Sequence, residues 1–231
     1  NQRVFRRSPK FSGRSDETTQ SGIELIGASG LRADLEIIVT AIDALEKCGG
    51  PDFSIEIGHA GFFKALSKSL KAPCAVKNKI MESIETKNYA ALNDLLDTLE
   101  ESDASGVLRN LPRLFGGKEV IDEALESCKT EEEIAPLKYL ATLYEKLTAL
   151  GYKDRINIDL GLVHRNNYYT GVVFRGFIQG SGQTVLSGGR YDSLISEFGK
   201  KLASTGFGVE IDALAQAMLK RGEAPEKTAV D

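Results

Sequence analysis

The stretch Gln20-Ser-Gly-Ile-Glu24 sets an amide and a carboxylate four residues apart with a glycine between them. On a strand, Gln20, Gly22 and Glu24 share one face, and Ser21 and Ile23 share the other. That pattern leaves space and polarity for a small cationic or amphoteric ligand; a solvated sheet face would read the same way. A second group follows much later, Asn167-Tyr-Tyr-Thr170 and then Gly188-Gly-Arg-Tyr-Asp192. Adjacent tyrosines on a strand point to opposite faces, so one packs while the other meets solvent or a ligand. Gly188-Gly189 admits a close backbone approach, and Arg190, Tyr191 and Asp192 supply donors and acceptors beside it. Tyrosine's apolar body and polar tip suit the wall of a small-molecule pocket. A tight turn with a packed tyrosine would use the same residues.

Other motifs carry less chemistry. Gly180-Ser-Gly182-Gln-Thr-Val185 leads into a β-branched run and opens no helix, so a hairpin turn is expected there and not a nucleotide loop. Cys48, Cys74 and Cys128 form no CxxC pair, which argues against a zinc ribbon or a disulfide framework. Cys48 and Cys128 lie at the ends of helical patterns, where a buried thiol is the expectation. His59 and His164 are too few and too separated for a histidine-based metal site. Neither a metal nor a cofactor is expected.

These residues need a scaffold, and 231 residues with 42% apolar and 27% charged side chains can build one. Lys+Arg 29 against Asp+Glu 33 gives a net charge of −4, which disfavours a uniformly basic nucleic-acid binder. No apolar run approaches the ~20 residues of a membrane span. The start, NQRVFRRSPK, has neither an apolar signal region nor a Met, and reads as a cut through a longer soluble, cytoplasmic protein.

The periodicities predict a strand, a loop and a second strand near Gln20–Ile26, then an amphipathic helix from Leu31 to Lys47. Its face is Leu35, Ile38, Val39, Ile42 and Leu45, and Gly49-Gly50 ends it. A strand at Phe53–Ile57 and a helix to Leu70 follow. From 71 to 150 the patterns are helical, at Met81–Glu85, Tyr89–Leu99, Lys118–Cys128 and Glu131–Leu150, with no strand pattern. Strands return at Arg155–Leu160, Tyr168–Ile178, Thr184–Ser187 and Thr205–Ile211, and Asp212–Lys220 closes as a helix. Strict βαβ alternation is absent, so the expected fold is α+β. An antiparallel or mixed sheet with helices on one side, built from 1–70 and 151–231, is interrupted by a helical insertion over 71–150.

On these segments the chain resembles the histidyl-tRNA synthetases and their relatives. VFRRSPKFSGRSDETTQSGIELIG is similar to the motif 2 region of that class II family. LVHRNNYYTGVVF and SGGRYDSL are similar to its two histidine-specific signatures, and STGFGVEIDAL to its motif 3. The resemblance runs from residue 1 to about 220 in family order. It implies that Gln20 and Glu24 receive a histidine α-amino group and that Tyr169 and Tyr191 enclose the side chain. Arg6 and Arg190 become candidate anion-binding residues.

The departures concern the phosphate chemistry. The acid that follows the motif 2 Arg6 is replaced by Ser8, the Arg of the first signature by His164, and the motif 3 Glu-Arg pair by Asp212-Ala213. A preorganised cationic donor is worth roughly 3–4 kcal/mol to a transition state, so losing two should cut adenylation by several orders of magnitude. A retained amino-acid pocket without phosphate handling resembles the synthetase-like paralogues that serve as regulatory subunits of ATP phosphoribosyltransferase. The resemblance then implies a chain that is not catalytic by itself, binds L-histidine, forms a dimer and partners a short-form catalytic subunit in histidine biosynthesis. Neither tRNA nor a membrane is among the expected partners. The alternative is the catalytic core of a divergent histidyl-tRNA synthetase.

Overall fold

The computed structural model describes residues 1–5, 15–163 and 168–222. Eight strands form one mixed sheet: β1 (Gln2–Phe5), β2 (Glu17–Ile26), β3 (Phe53–His59), β4 (Phe115–Gly116), β5 (Ile156–Asp159), β6 (Val172–Ile178), β7 (Leu186–Arg190) and β8 (Ser204–Glu210). Their order is β1-β2-β8-β7-β6-β3-β5-β4. β3 and β5 are parallel, and every other described pair is antiparallel. The helices are α1 (Leu31–Gly49), α2 (Ala60–Ser69), α3 (Cys74–Glu85), α4 (Tyr89–Asp97), α5 (Asp103–Asn110), α6 (Glu119–Ser127), α7 (Glu131–Ala149) and α8 (Ile211–Lys220). Among the described residues no helix is long and apolar enough to cross a membrane.

α1 lies across β3, β6, β7 and β8 and is joined there by α7 and α8. Its buried stripe is Ala33, Ile37, Ile38, Ala41, Ile42 and Leu45. Leu35 and Val39, expected on that stripe, sit at its partly buried flank. Gly50 ends the helix at φ 78°, a backbone conformation costly for any residue with a Cβ. On the sheet, alternation sends Ile57, Phe174 and Phe207 toward this helical layer, where they are buried. Arg175 points to the other face and bridges Glu56 at 2.6 Å and Asp159 at 3.1 Å, tying β6 to β3 and β5.

The predicted elements are present with shifted ends, and three differences have physical causes. β4 adds two residues to the sheet edge inside the helical stretch, pairing Phe115 with Asp159 and Gly116 with Ile158. Two residues are too short to show a period. α5 was not predicted because Gly106 and two serines dilute its helical pattern. It is held by a capping box between Ser102 and Ser105 and by the buried Ala104, Val107 and Leu108. Finally, Cys48 is exposed while Cys128 is buried, and burial pushes the Cys128 thiol up to about 11.

The long helix α7 is pinned at its start by a buried carboxylate. Glu133 closes a capping box with Thr130 and accepts hydrogen bonds from Ser69 Oγ at 2.8 Å and from the backbone N–H groups of Lys129 and Thr130 at 3.1 Å. Burial alone would raise its pKa, but these bonds outweigh it and the carboxyl titrates below its ordinary 4.5. A depressed carboxylate stabilises the fold above the unfolded-state value and loses that contribution as pH falls through the folded one. Glu133→Gln is therefore expected to cost about 1–3 kcal/mol at neutral pH. It should also flatten the acid side of the stability profile, as measured by urea unfolding from neutral to acid pH.

Candidate functional site

The face of the sheet opposite α1 carries an open cavity of about 440 Å³, within the size range of small-molecule sites, roughly 300–1,000 Å³. Its floor is backbone. Across the β2–β8 ladder Gln20 faces Glu210, Gly22 faces Gly208 and Glu24 faces Gly206. A Cβ on Gly206 would lie 1.9 Å from Glu24 Oε2, and one on Gly208 would lie 2.4 Å from Gln20 Nε2. The glycines thus make the space into which the two polar side chains rise. Gly189 does the same beneath Tyr169, whose ring atoms would be 2.8 Å from a Cβ there.

The four residues assigned to a ligand, Gln20, Glu24, Tyr169 and Tyr191, all line this cavity. The Tyr191 hydroxyl donates to Glu24 Oε2. Gln20 Nε2 donates to Glu210 Oε1 at 3.3 Å, so Glu210 orients the amide from the neighbouring strand. Burial raises the pKa of Tyr169, reinforced by its bond to Tyr168 and by nearby Glu24 and Tyr191. Burial and then the Glu24 bond raise Tyr191 in the same direction. Both phenols stay protonated and act as neutral donors around one carboxylate. Such a wall suits an ammonium or an amphoteric group, and no Lys or Arg side chain lines it among the described residues.

Tyr168 and Tyr169 do not take opposite faces. β6 begins only at Val172, so the two tyrosines lie in the approach to the strand, where the pleat does not separate them. Their rings are 4.3 Å apart, Tyr168 meets Tyr191 edge-on at 6.0 Å, and both line the cavity. The alternating glycines of Ser204-Thr-Gly-Phe-Gly-Val209 carry the sequence signal for the floor that the sequence reading missed; Glu210 was not singled out, and Tyr168 only as one of the adjacent tyrosines.

Arg190 requires a correction. Its register partner is Thr205, on the helical side of the sheet, and the guanidinium is spent there on carboxylates and not on a ligand anion. Nε and Nη2 lie 2.9 and 2.7 Å from Asp34 Oδ1, and Nη1 lies 2.9 Å from Asp192 Oδ1. Burial works against its charge, but the bonds to Asp34 and Asp192 outweigh it and raise its pKa. Asp34 also accepts from the Tyr139 hydroxyl at 2.5 Å, which brings α7 into the network. Arg6, Ser8 and His164 lie outside the described residues. Asp212 accepts from Thr19 N at 2.8 Å and fastens α8 to β2, while Ala213 packs against the core. His59 caps α2, its Nδ1 accepting from Gly61 N at 3.0 Å. Burial and then the nearby Lys64 lower its pKa to about 4. Removing Asp34 would leave the Arg190 charge half-compensated in the interior. Asp34→Ala is expected to destabilise the fold by about 3–5 kcal/mol in urea unfolding.

The family model described as histidyl-tRNA synthetase matches residues 1–214. The ATP phosphoribosyltransferase regulatory subunit of Clostridium kluyveri is 41% identical over 97% of this chain and 58% of its own length. That of Bacillus cereus strain G9842 is 38% identical over 99% of the chain and 55% of its length. A solved structure from Bacillus halodurans, described as an ATP phosphoribosyltransferase regulatory subunit/histidyl-tRNA synthetase, superposes with a TM-score of 0.81. It is 37% identical, over 89% of this chain and 55% of that one. The chain thus spans little more than half the length of the relatives it matches. A family model spanning nearly the whole chain, together with the mixed eight-stranded sheet, shows that this chain belongs to the histidyl-tRNA synthetase family with its class II fold.

Proposed function

We propose that this chain is the histidine-sensing part of an ATP phosphoribosyltransferase regulatory subunit. The observation that carries the reading is one carboxylate, one amide and two neutral phenols gathered over a glycine floor. Glu24 neutralises the ligand ammonium, Gln20 orients it, and Tyr169 and Tyr191 wall the imidazole. Ala213 packs against the core at the position where the resemblance places the family's phosphate-binding Arg, which favours sensing over adenylation. The relatives' designation as regulatory subunits supports a short-form catalytic subunit as partner. In this reading the protein self-associates as a dimer and works in the cytoplasm on the first step of histidine biosynthesis. Feedback then requires histidine to prefer one assembly state by about 1–3 kcal/mol.

Calorimetric titration of L-histidine into the full-length protein, with and without Mg-ATP, tests this. Saturable binding indifferent to ATP is expected. Binding that requires ATP, with continuing heat, would instead mark an active divergent synthetase. Silence in both titrations would leave an interaction scaffold.

Glu24→Ala should weaken histidine binding by roughly ten- to more than a hundredfold, the worth of a charge-assisted contact of about 1.5–3 kcal/mol. The circular dichroism spectrum should not change. Unaltered affinity in that variant would remove the pocket assignment. Gly206→Ala should act in the same direction by pushing the Glu24 carboxylate out of place.

A further inference from the structure

A second cavity, of about 290 Å³, shares Tyr169 with the first and lies between α2, the amino end of α3 and the segment after β5. Its interior is apolar, formed by Phe63, Met81, Leu162, Val163 and Val173. Its charged groups are of one sign: Lys64, Lys68 and Lys77 line it beside the neutral Ser67 and Asn78, and no Asp or Glu does among the described residues. The three ammonium groups differ in what they already hold. Lys68 is committed to Glu132, with Nζ at 2.6 and 2.8 Å from its two carboxylate oxygens. Lys64 donates to the neutral backbone oxygen of Tyr169 at 2.6 Å, and Lys77 makes no ion pair among the described residues. Burial pushes the Lys64 ammonium below its usual pKa, the mark of a cation short of a counter-charge. The amino end of α3 opens on the same space with no side chain capping it, which adds positive potential in the same direction.

We propose that this cavity binds a small amphipathic anion, a carboxylate or phosphate ester on an apolar body, with its oxyanion taken by Lys64 and Lys77. The apolar walls would bury the body, and the volume limits it to metabolite size. Because Lys64 also holds the Tyr169 carbonyl, an anion that draws Lys64 away loosens one wall of the first cavity. The two sites are thereby coupled through a single backbone oxygen. Binding at the second cavity does not require histidine in the first, and each ligand weakens the other by the same factor.

Cys74 lines the cavity and is exposed, so it reports occupancy in place. Cys48 is also exposed and Cys128 is buried, so among the described residues Cys48→Ser leaves Cys74 as the accessible thiol, and the peptide that carries it is read individually. Alkylation of Cys74 by iodoacetamide would be followed by mass spectrometry in the full-length Cys48→Ser protein. Phenyl phosphate, benzoate and inorganic phosphate would be the added probes. Saturable protection by phenyl phosphate or benzoate is expected, and the better of the two identifies the head group. Adding Lys77→Gln should weaken protection about tenfold or more, as loss of one charge-assisted hydrogen bond requires, with thermal unfolding unchanged. Absence of protection by both organic anions would overturn the proposal. So would equal protection by inorganic phosphate, or protection unaffected by Lys77→Gln. Titrating L-histidine into the same protein without the probe anions separates the two readings: protected Cys74 without histidine binding would sink the sensing role alone.

Discussion

A guanidinium enclosed by two carboxylates joins the sheet to its helical layer, and the arrangement of the cavity depends on it. Arg190 ends β7 with 6% of its surface exposed, and Asp34, its partner in the first turn of α1, has 2%. Burying such a pair costs desolvation that only good geometry and additional hydrogen bonds offset. Here Ala28 O, Asp192 and the Tyr139 hydroxyl complete the set. The same Asp192 oxygen accepts from Ser204 N at 3.0 Å, so the network also sets where β8 begins. With Arg190 held on the helical side, alternation turns its neighbours Gly189 and Tyr191 toward the cavity. An interaction on one face of the sheet thereby aims residues on the other.

The cavity side follows a different rule, the removal of side chains. Glycine in a strand sacrifices packing and costs roughly 0.5–1 kcal/mol relative to alanine. β8 spends two of its alternate positions this way, yet it is paired on both sides, to β2 and β7, and keeps its ladder. The exchange leaves a floor of peptide groups under Gln20 and Glu24. Around it the tyrosines stack on one another, so each ring is positioned by its neighbours as well as by the backbone.

Tyr169 is where two environments meet. Its ring belongs to the acidic cavity, and its carbonyl is held by a lysine of the basic cavity beneath α2. Under the two proposals above, opposite potentials on the two sides of one residue would let the fold relate two ligands of different charge. The helical stretch over 71–150 takes part in this: α3 supplies one wall of the basic cavity, and α7 reaches the Arg190 network through Tyr139.

Much of the site was legible in the sequence because strand period is local. Gln20, Gly22 and Glu24 had to share a face whatever else the chain did, and the glycine spacing in β8 obeys the same period. The resemblance to the family pointed to Tyr169 and Tyr191, which the structure brings to the same cavity. What the letters could not decide was where a strand begins and which of its faces meets the helices. Tyr168 and Tyr169 fall together because β6 starts later than their β-propensity suggests, with Thr170 N bonded to Arg190 O twenty residues on. Arg190 turns inward because its counter-charge, Asp34, comes from a helix 156 residues earlier in the chain. Alternation within an element is a property of neighbouring residues, and sequence alone determined it. The sign of that alternation, core or cavity, was set by partners distant in the chain, and only the tertiary structure brought them together.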